Sequence, residues 1–465
     1  MGVAPPPEPR GPRLRLLGLQ LPMRALALHP AQVIVLAFSA VVALGTVLLM
    51  LPISKQGPGG TDFFNAFFHA VSAVCVTGLS SVDTGTHWTT FGEAVLLVLI
   101  QVGGFGIMTF ASILGLVVAR RLGLRGRLQT AAESQTLNQG DLRRVLWGLA
   151  RISFIVEVSI AVILALRWWL GYDEPLGHAI WLGVFHSVGS FNNAGLALFS
   201  NSLIDYATDP FICLPVAIGV ILGGLGFPVL MELRREFGDK LHWSLNTKIV
   251  VVVTAALLVV STILITALEW GNAATLGAHD PPARVLGGFF QAVMPRSGGF
   301  NTVDIGLMHP ETWFAIDVLM FIGGGPAGTG GGIKVTTFAV LVFLVYTEIR
   351  GEGAVNIFGR RLPRSVHRQA ITVAALAVTT IILATFLLMI LEPLNLDHAL
   401  FEVTSAFTTT GLSTGATADL SPASQMLLVF LMFAGRIGPI TLASAIALKR
   451  ANRLYEYPKE RPIIG

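Results

Sequence analysis

Long apolar runs alternate along the chain with shorter segments that mix aromatic, small and hydroxyl-bearing residues. The long runs lie near residues 31–52, 92–119, 145–170, 211–232, 247–269, 314–347, 369–391 and 422–448. Each is long enough to cross a bilayer as helix, which takes about 20 residues. The 314–347 run is too long for one unbroken span, and its middle is full of glycine. Between paired runs lie apolar segments near 62–74, 179–190, 284–295 and 397–408, which are too short to span. They suit re-entrant half-helices, whose non-helical ends survive at membrane depth only where protein buries them or they line a wet cavity. The pattern predicts an all-α polytopic membrane protein with eight transmembrane helices and four re-entrant pore helices. These form four pseudo-symmetric span–half-helix–span repeats around a central pore, at 31–119, 145–234, 247–349 and 369–448. A tail, 1–30, precedes them and a segment, 449–465, follows.

Each short segment carries the same motif: Phe68-His69 to Gly78, Phe185-His186 to Gly195, Phe290-Gln291 to Gly299, and Phe401-Glu402 to Gly411. Glycine reaches positive φ without Cβ strain and lets several backbones approach closely. Four such glycines suggest four segments converging on an axis, with carbonyls replacing an ion's hydration shell. A half-helix entering from outside points its partially negative C-terminal end at the midplane, which favours a cation. The candidate ion-binding residues are Val76, Thr77 and Gly78; Asn193, Ala194 and Gly195; Ser297, Gly298 and Gly299; and Thr409, Thr410 and Gly411. The third motif is one residue shorter, so Gly298 competes with Gly299 for the ring position, and the following Phe-Asn-Thr favours Gly299. His69, His186, Gln291 and Glu402 hold equivalent places and either tune a vestibule or anchor the half-helices. Asn192 and Asn193 suit support of the second segment equally well as ordinary structural hydrogen bonding. Glu157, inside a span, calls for an internal partner.

A second glycine cluster recurs in the later span of each unit, beginning at Gly103, Gly223, Gly323 and Gly435. It reads as a place where pore-lining helices bend. The third cluster is the most extreme: Gly323, Gly324, Gly325, Pro326, Ala327, Gly328, Thr329, Gly330, Gly331 and Gly332, followed after Ile333 by Lys334. It satisfies GxGxxG, but without a βαβ context that match has no dinucleotide meaning, and Ile333 interrupts any Gly-Lys-Ser/Thr phosphate loop. An irregular intramembrane loop that can obstruct the pore is the better reading. Lys334 and Arg436 are its candidate controlling charges, since intramembrane charges are costly and usually functional. Snorkelling from a span end is the plainer alternative for both.

Composition agrees with a membrane setting: 53% of residues are hydrophobic, 12% are charged, and the mean hydropathy is +0.71. Most of the 31 Lys and Arg fall at 10–24, 120–151, 234–248, 350–368 and 449–461. With eight spans these belong to one side, which places both termini in the cytoplasm. The pI near 9.3 therefore reflects topology, and nucleic acid is not an expected partner. Residues 1–30 read as a flexible tail without the apolar core of a signal peptide. Cys75 and Cys213 read as core residues, no Cys/His group has metal-ligand spacing, and no HExxH or GxSxG motif suggests an enzyme.

The motifs Val76-Thr77-Gly78-Leu79, Asn193-Ala194-Gly195-Leu196, Ser297-Gly298-Gly299-Phe300-Asn301-Thr302 and Thr409-Thr410-Gly411-Leu412 resemble those of the Trk/Ktr/HKT superfamily of potassium transporters. The resemblance covers 31–465, and the lack of an extra N-terminal pair of spans makes the chain look more like the Ktr membrane subunit than the longer Trk type. It implies potassium uptake across a bacterial cytoplasmic membrane through a channel-like pore. All four ring positions are glycine, which in the family goes with K⁺; a serine at the first accompanies sodium preference in plant relatives. It further implies that residues 322–334 form the gate, that the subunit is a homodimer, and that it sits on a cytosolic ring of nucleotide-binding RCK-type subunits. The chain itself would hold no cofactor, with K⁺ as cargo and Na⁺ as a candidate activator. A coupled secondary transporter is the alternative, although its usual inverted repeats differ from four units of one orientation.

Overall fold

The computed structural model describes residues 30–121 and 139–438, apart from 237 and 240, together with two short antiparallel strands, β1 (Arg15–Leu16) and β2 (Leu19–Gln20). Most of the 1–30 tail, the basic stretch 122–138, Pro439 and the segment 449–465 lie outside the described residues.

The helices follow the expected order. The first unit is α1 (Pro30–Met50), α2 (Phe63–Val74) and α3 (Thr90–Arg121). The second is α4 (Gln139–Gly171), α5 (Leu176–Asn192), α6 (Pro210–Leu225) and α7 (Phe227–Glu236). The third is α8 (Leu245–Glu269), α9 (Pro281–Val293), α10 (Pro310–Phe321) and α11 (Val335–Ile349). The fourth is α12 (Arg364–Leu391), α13 (Leu396–Phe407) and α14 (Pro422–Ile437). A hairpin, β3 (Asn356–Ile357) and β4 (Arg360–Arg361), joins α11 to α12.

Local chemistry sets many of these boundaries. The Asp62 carboxylate accepts the Asn65 amide at 3.1 Å to cap α2, and Ser244 accepts Thr247 N at 3.2 Å to cap α8. Helices α6, α9, α10 and α14 each begin with proline, whose fixed φ and missing N–H suit a first turn.

Among the described residues, Trp147–Gly171, Leu245–Glu269 and Arg364–Leu391 are long and apolar enough to cross a membrane singly. Helices α6 and α7 pass together, with a bend of 100° at Gly226. The three long helices form the periphery: Val259, Ile263, Leu383 and Phe386 are among their exposed apolar residues, as lipid contact requires. The pore helices lie inside, with Phe68, Phe185, Phe290 and Phe401 at most 1% exposed. In lipid, such packing stabilises by van der Waals contact and internal hydrogen bonds, since tails are as apolar as the core.

The units close into a ring through one recurring contact: the later span of each packs on the pore helix of the next. Helix α3 packs on α5, α6 on α9, α10 on α13, and α14 on α2. The expectation that the lower glycine clusters are places of bending holds in the second, where α6 and α7 meet at 100° at Gly226, and fails in the first. Helix α3 runs unbroken through Gly103–Gly106. A β-carbon on Gly103, Gly223 or Gly435 would collide with the carbonyl oxygen of Val74, Phe191 or Phe407 respectively. These three residues stand at the same position, six after the motif aromatic. The glycines therefore let each later span close on the end of its own pore helix. Interruption occurs at Gly226, with φ 91°, and across 322–334, while α14 ends at Ile437 with Gly438 at φ 90°.

Candidate functional site: a glycine ring above an intramembrane loop

The four segments leaving the pore helices share an unusual backbone. Val76, Asn193, Ser297 and Thr409 have φ of 51°, 61°, 70° and 49°. Two residues on, Gly78, Gly195, Gly299 and Gly411 have φ of 96°, 66°, 75° and 91°. Left-handed backbone is uncommon outside glycine, so its recurrence at matched positions marks one conformation used four times. It also resolves the third unit, where Gly299 holds the ring position. The shorter spacing is absorbed at the helix end. In every unit the amide before the ring glycine bonds the carbonyl four residues after the aromatic: Thr77 to Ser72 at 2.8 Å, Ala194 to Gly189 at 2.7 Å, Gly298 to Met294 at 2.7 Å and Thr410 to Ser405 at 2.9 Å.

The glycines meet around an axis in chain order. A β-carbon on Gly78 would lie 2.5 Å from Ala194 O, and one on Gly195 would lie 2.7 Å from Gly299 Cα and 3.2 Å from Gly298 O. One on Gly299 would lie 2.5 Å from Thr410 O, and one on Gly411 would strike Thr77 O. Each ring glycine is thus abutted by the carbonyl preceding the ring glycine of the next unit. Among the described residues, Thr77 O, Ala194 O, Gly298 O and Thr410 O accept no hydrogen bond. In two units the opposite face of the segment is tied outward, because Gly78 N donates to Ser72 Oγ and Gly411 N to Ser405 Oγ, both at 3.1 Å. Carbonyl oxygens left without donors and brought this close together are of the kind that can stand in for an ion's hydration shell.

The residues after the motif aromatics are braces. His69, His186, Gln291 and Glu402 are fully buried. His69 Nδ1 lies 3.1 Å from Asn65 O and His186 Nδ1 lies 2.9 Å from Leu182 O, each on its own helix. Gln291 donates to Thr302 Oγ1 at 3.4 Å. Glu402 accepts Ser413 Oγ at 2.8 Å, Thr414 N at 2.8 Å, Thr414 Oγ1 at 2.9 Å and the Thr417 hydroxyl. Ser81, Thr302 and Thr414 all stand three residues past a ring glycine, so the brace holds the outgoing segment in three units; Ser81 Oγ is 3.5 Å from His69 Nδ1. Glu157 finds its partners in Ser153 at 2.8 Å, Gln101 at 3.1 Å and Asn192 at 3.3 Å, which fixes Asn192 as a support behind the second segment. Both cysteines are free and buried.

One face of the ring opens into a vestibule of about 270 Å³, with all four ring glycines in its lining. Asp83 and Asp304 also line it, each five residues past a ring glycine, in opposite units. That shared spacing was the available signal for Asp304. Burial alone would raise the Asp83 carboxyl, but hydrogen bonds from Ser200, Thr86 and Gly85 outweigh it and hold the group below the usual carboxylate range.

The other face meets the 322–334 loop. Gly325 N donates to Gly224 O at 2.7 Å, Thr329 N to Gly223 O at 3.1 Å, and Phe227 N to Ala327 O at 3.3 Å, so the loop docks on the break between α6 and α7. Above, Thr329 Oγ1 donates to Phe191 O at 3.3 Å and Gly331 N to Ser297 Oγ at 2.8 Å, so it abuts the ring segments directly. Lys334 Nζ donates to Gly330 O at 2.6 Å, and Arg436, 6% exposed, donates through Nη1 to Thr329 O. Neither charge snorkels to a span end. The sequence reading missed Arg296, buried behind the third segment.

Comparison with known proteins fits this geometry. A family model described as a cation transport protein, TrkH, matches residues 24–454. The chain is 36% identical over 440 residues to "Ktr system potassium uptake protein B" of Bacillus subtilis, covering 94% of this chain and 97% of that protein. It is 37% identical to the protein of the same description from Vibrio alginolyticus, covering 93% and 94%. It is 30% identical to "Potassium/sodium uptake protein NtpJ" of Enterococcus hirae, covering 94% and 98%. Among solved structures, the potassium transporter TrkH of Vibrio parahaemolyticus superposes with a TM-score of 0.73 at 17% identity, covering 92% of this chain and 87% of that one.

Proposed function

The chain belongs to the TrkH family of cation transport proteins, and on that premise we propose that it is a potassium uptake pore. The observation that carries this reading is the ring of four unpaired carbonyls, Thr77, Ala194, Gly298 and Thr410, seated on four left-handed glycines. K⁺ enters from the vestibule, exchanges hydration water for these oxygens, and passes toward the loop. Asp83 and Asp304 raise the local cation concentration at the mouth. The 322–334 loop is the gate, and its docked position blocks the path below the ring. Arg436 holds it there through the Thr329 carbonyl.

The basic loops and the positive-inside rule support a vestibule that faces outward and termini that lie in the cytoplasm. Relatives called parts of a Ktr system support a second, cytosolic component, read here as a nucleotide-binding ring beneath a homodimer of this chain. The potassium/sodium wording for one relative keeps Na⁺ in view as an activator. The same turn of each unit about the ring supports a pore over an alternating-access carrier built on inverted repeats.

The test is rescue of a potassium-uptake-deficient bacterium at limiting K⁺, with this chain expressed beside its cytosolic partner. Wild type restores growth and Gly78→Ser does not. Failure of well-expressed wild type with its partner present would overturn the assignment.

A further inference from the structure

Three cations flank the loop, and one is held differently from the others. Arg436 and Lys334 bond loop carbonyls. Arg296, three residues before Gly299 and 7% exposed, bonds none: its Nη2 donates to Thr254 Oγ1 at 3.2 Å and its Nε has no acceptor. It lines a slot of about 10 Å³ behind the third ring segment, walled by Val220, Gly224 and Leu225 of α6, Thr254 and Leu258 of α8, and Gly324 of the loop. No carboxylate lines that slot, which has room for one water at most. A guanidinium carries five donors, and burying it with so few acceptors is costly. The docked state therefore leaves Arg296 under-satisfied. Arg436 also has Nε and Nη2 without acceptors, and what separates the two is that Arg436 Nη1 bonds a loop carbonyl whereas Arg296 bonds none.

Loop docking consumes an acceptor at the same place. Gly224 O takes the Gly325 amide at 2.7 Å, and the neighbouring Gly223 O takes that of Thr329. When the loop leaves, these carbonyls lose their donors, and Gly224 already lines the slot that holds Arg296. We propose that Arg296 then takes up the Gly224 carbonyl and so stabilises the undocked loop. The two arginines act with opposite sign: Arg436 favours the docked state and Arg296 the released one. Thr254 is the resting acceptor from which Arg296 is drawn. Arg296 is a positioning residue in this scheme, acting through backbone and never touching the ion. The inference rests on the loop being the gate.

The test uses the full chain in vesicles with Ala327→Cys as reporter, since Cys75 and Cys213 are buried and Ala327 is partly exposed in the loop. The rate at which a membrane-impermeant thiol reagent labels the loop from the cytoplasmic side is measured with Rb⁺ flux. Arg436→Ala should speed both. Arg296→Gln should slow both by at least about threefold, in wild type and in the Arg436→Ala background alike, with Arg296→Lys intermediate. Thr254→Val should speed both, because it frees Arg296 for Gly224. Unchanged or faster labelling in a folded Arg296→Gln protein would overturn the proposal. If that variant does not fold, Thr254→Val decides: faster labelling supports the proposal, and unchanged or slower labelling overturns it. If loop labelling changes across these variants while Rb⁺ flux does not follow it, the loop is not the gate and both readings fall.

Discussion

Ser297 Oγ accepts the Gly331 amide at 2.8 Å and donates to the Thr408 carbonyl at 3.2 Å. One hydroxyl thus ties the third ring segment to the fourth and to the loop below. Losing the loop bond in Ser297→Ala removes about 1 kcal/mol from the docked state. Open time in single-pore or ensemble Rb⁺ flux should rise about fivefold, and flux equal to wild type would refute the tie.

Arg436 makes a stronger version of the same contact, since its donor is charged and buried. Arg436→Ala should raise flux at least tenfold in the absence of any cytosolic partner, for a bond of about 1.5–3 kcal/mol. Normal expression with unaltered flux would remove Arg436 from gating.

These contacts mark the limit of what the sequence made legible. The pore helices were placed within a few residues, because the aromatic–glycine motif ends each at the same turn. The loop was legible because seven glycines and a proline cannot hold a span as helix. The role of Gly103, Gly223 and Gly435 was not, since a glycine that bends a helix and one that admits a neighbour's carbonyl look identical in one dimension. Arg296 was missed for a related reason. An arginine between proline and serine reads as loop until packing shows that α6 and α8 bury it. Nor could the sequence choose between vestibule and anchor for Glu402, because the hydroxyls it gathers lie 11 to 15 residues away.

That cluster makes a stability prediction. Glu402→Gln gives up acceptor capacity for Ser413, Thr414 and Thr417. The cost should be about 1–3 kcal/mol, read as a fall of several degrees in the detergent-solubilised melting temperature. An unchanged melting temperature would mean that the outgoing segment is held by other contacts.

Asp83 supplies a pH prediction with a definite sign. Hydrogen bonds hold its folded carboxyl below the usual carboxylate range, so its stabilising contribution is fully present above about pH 4 and fades only as pH falls through the folded value. The stability difference between wild type and Asp83→Asn should therefore stay constant between about pH 5 and 8 and narrow only below about pH 4. Asp83→Asn with Asp304→Asn removes both acidic groups from the vestibule lining and should raise the apparent KM for K⁺ about two- to fivefold at low salt. The difference should shrink at high ionic strength. A salt-independent effect would point to lost loop structure instead.

The central claim is that four carbonyls on four glycines select the ion, and the direct measurement is Rb⁺ against Na⁺ flux in proteoliposomes. Wild type should favour Rb⁺ by roughly tenfold or more. Gly78→Ser, whose side chain must meet Ala194 O at left-handed φ, should bring the ratio close to one while flux persists. A folded Gly78→Ser protein that keeps the wild-type ratio, or a wild type that carries Na⁺ as readily as Rb⁺, would contradict the account.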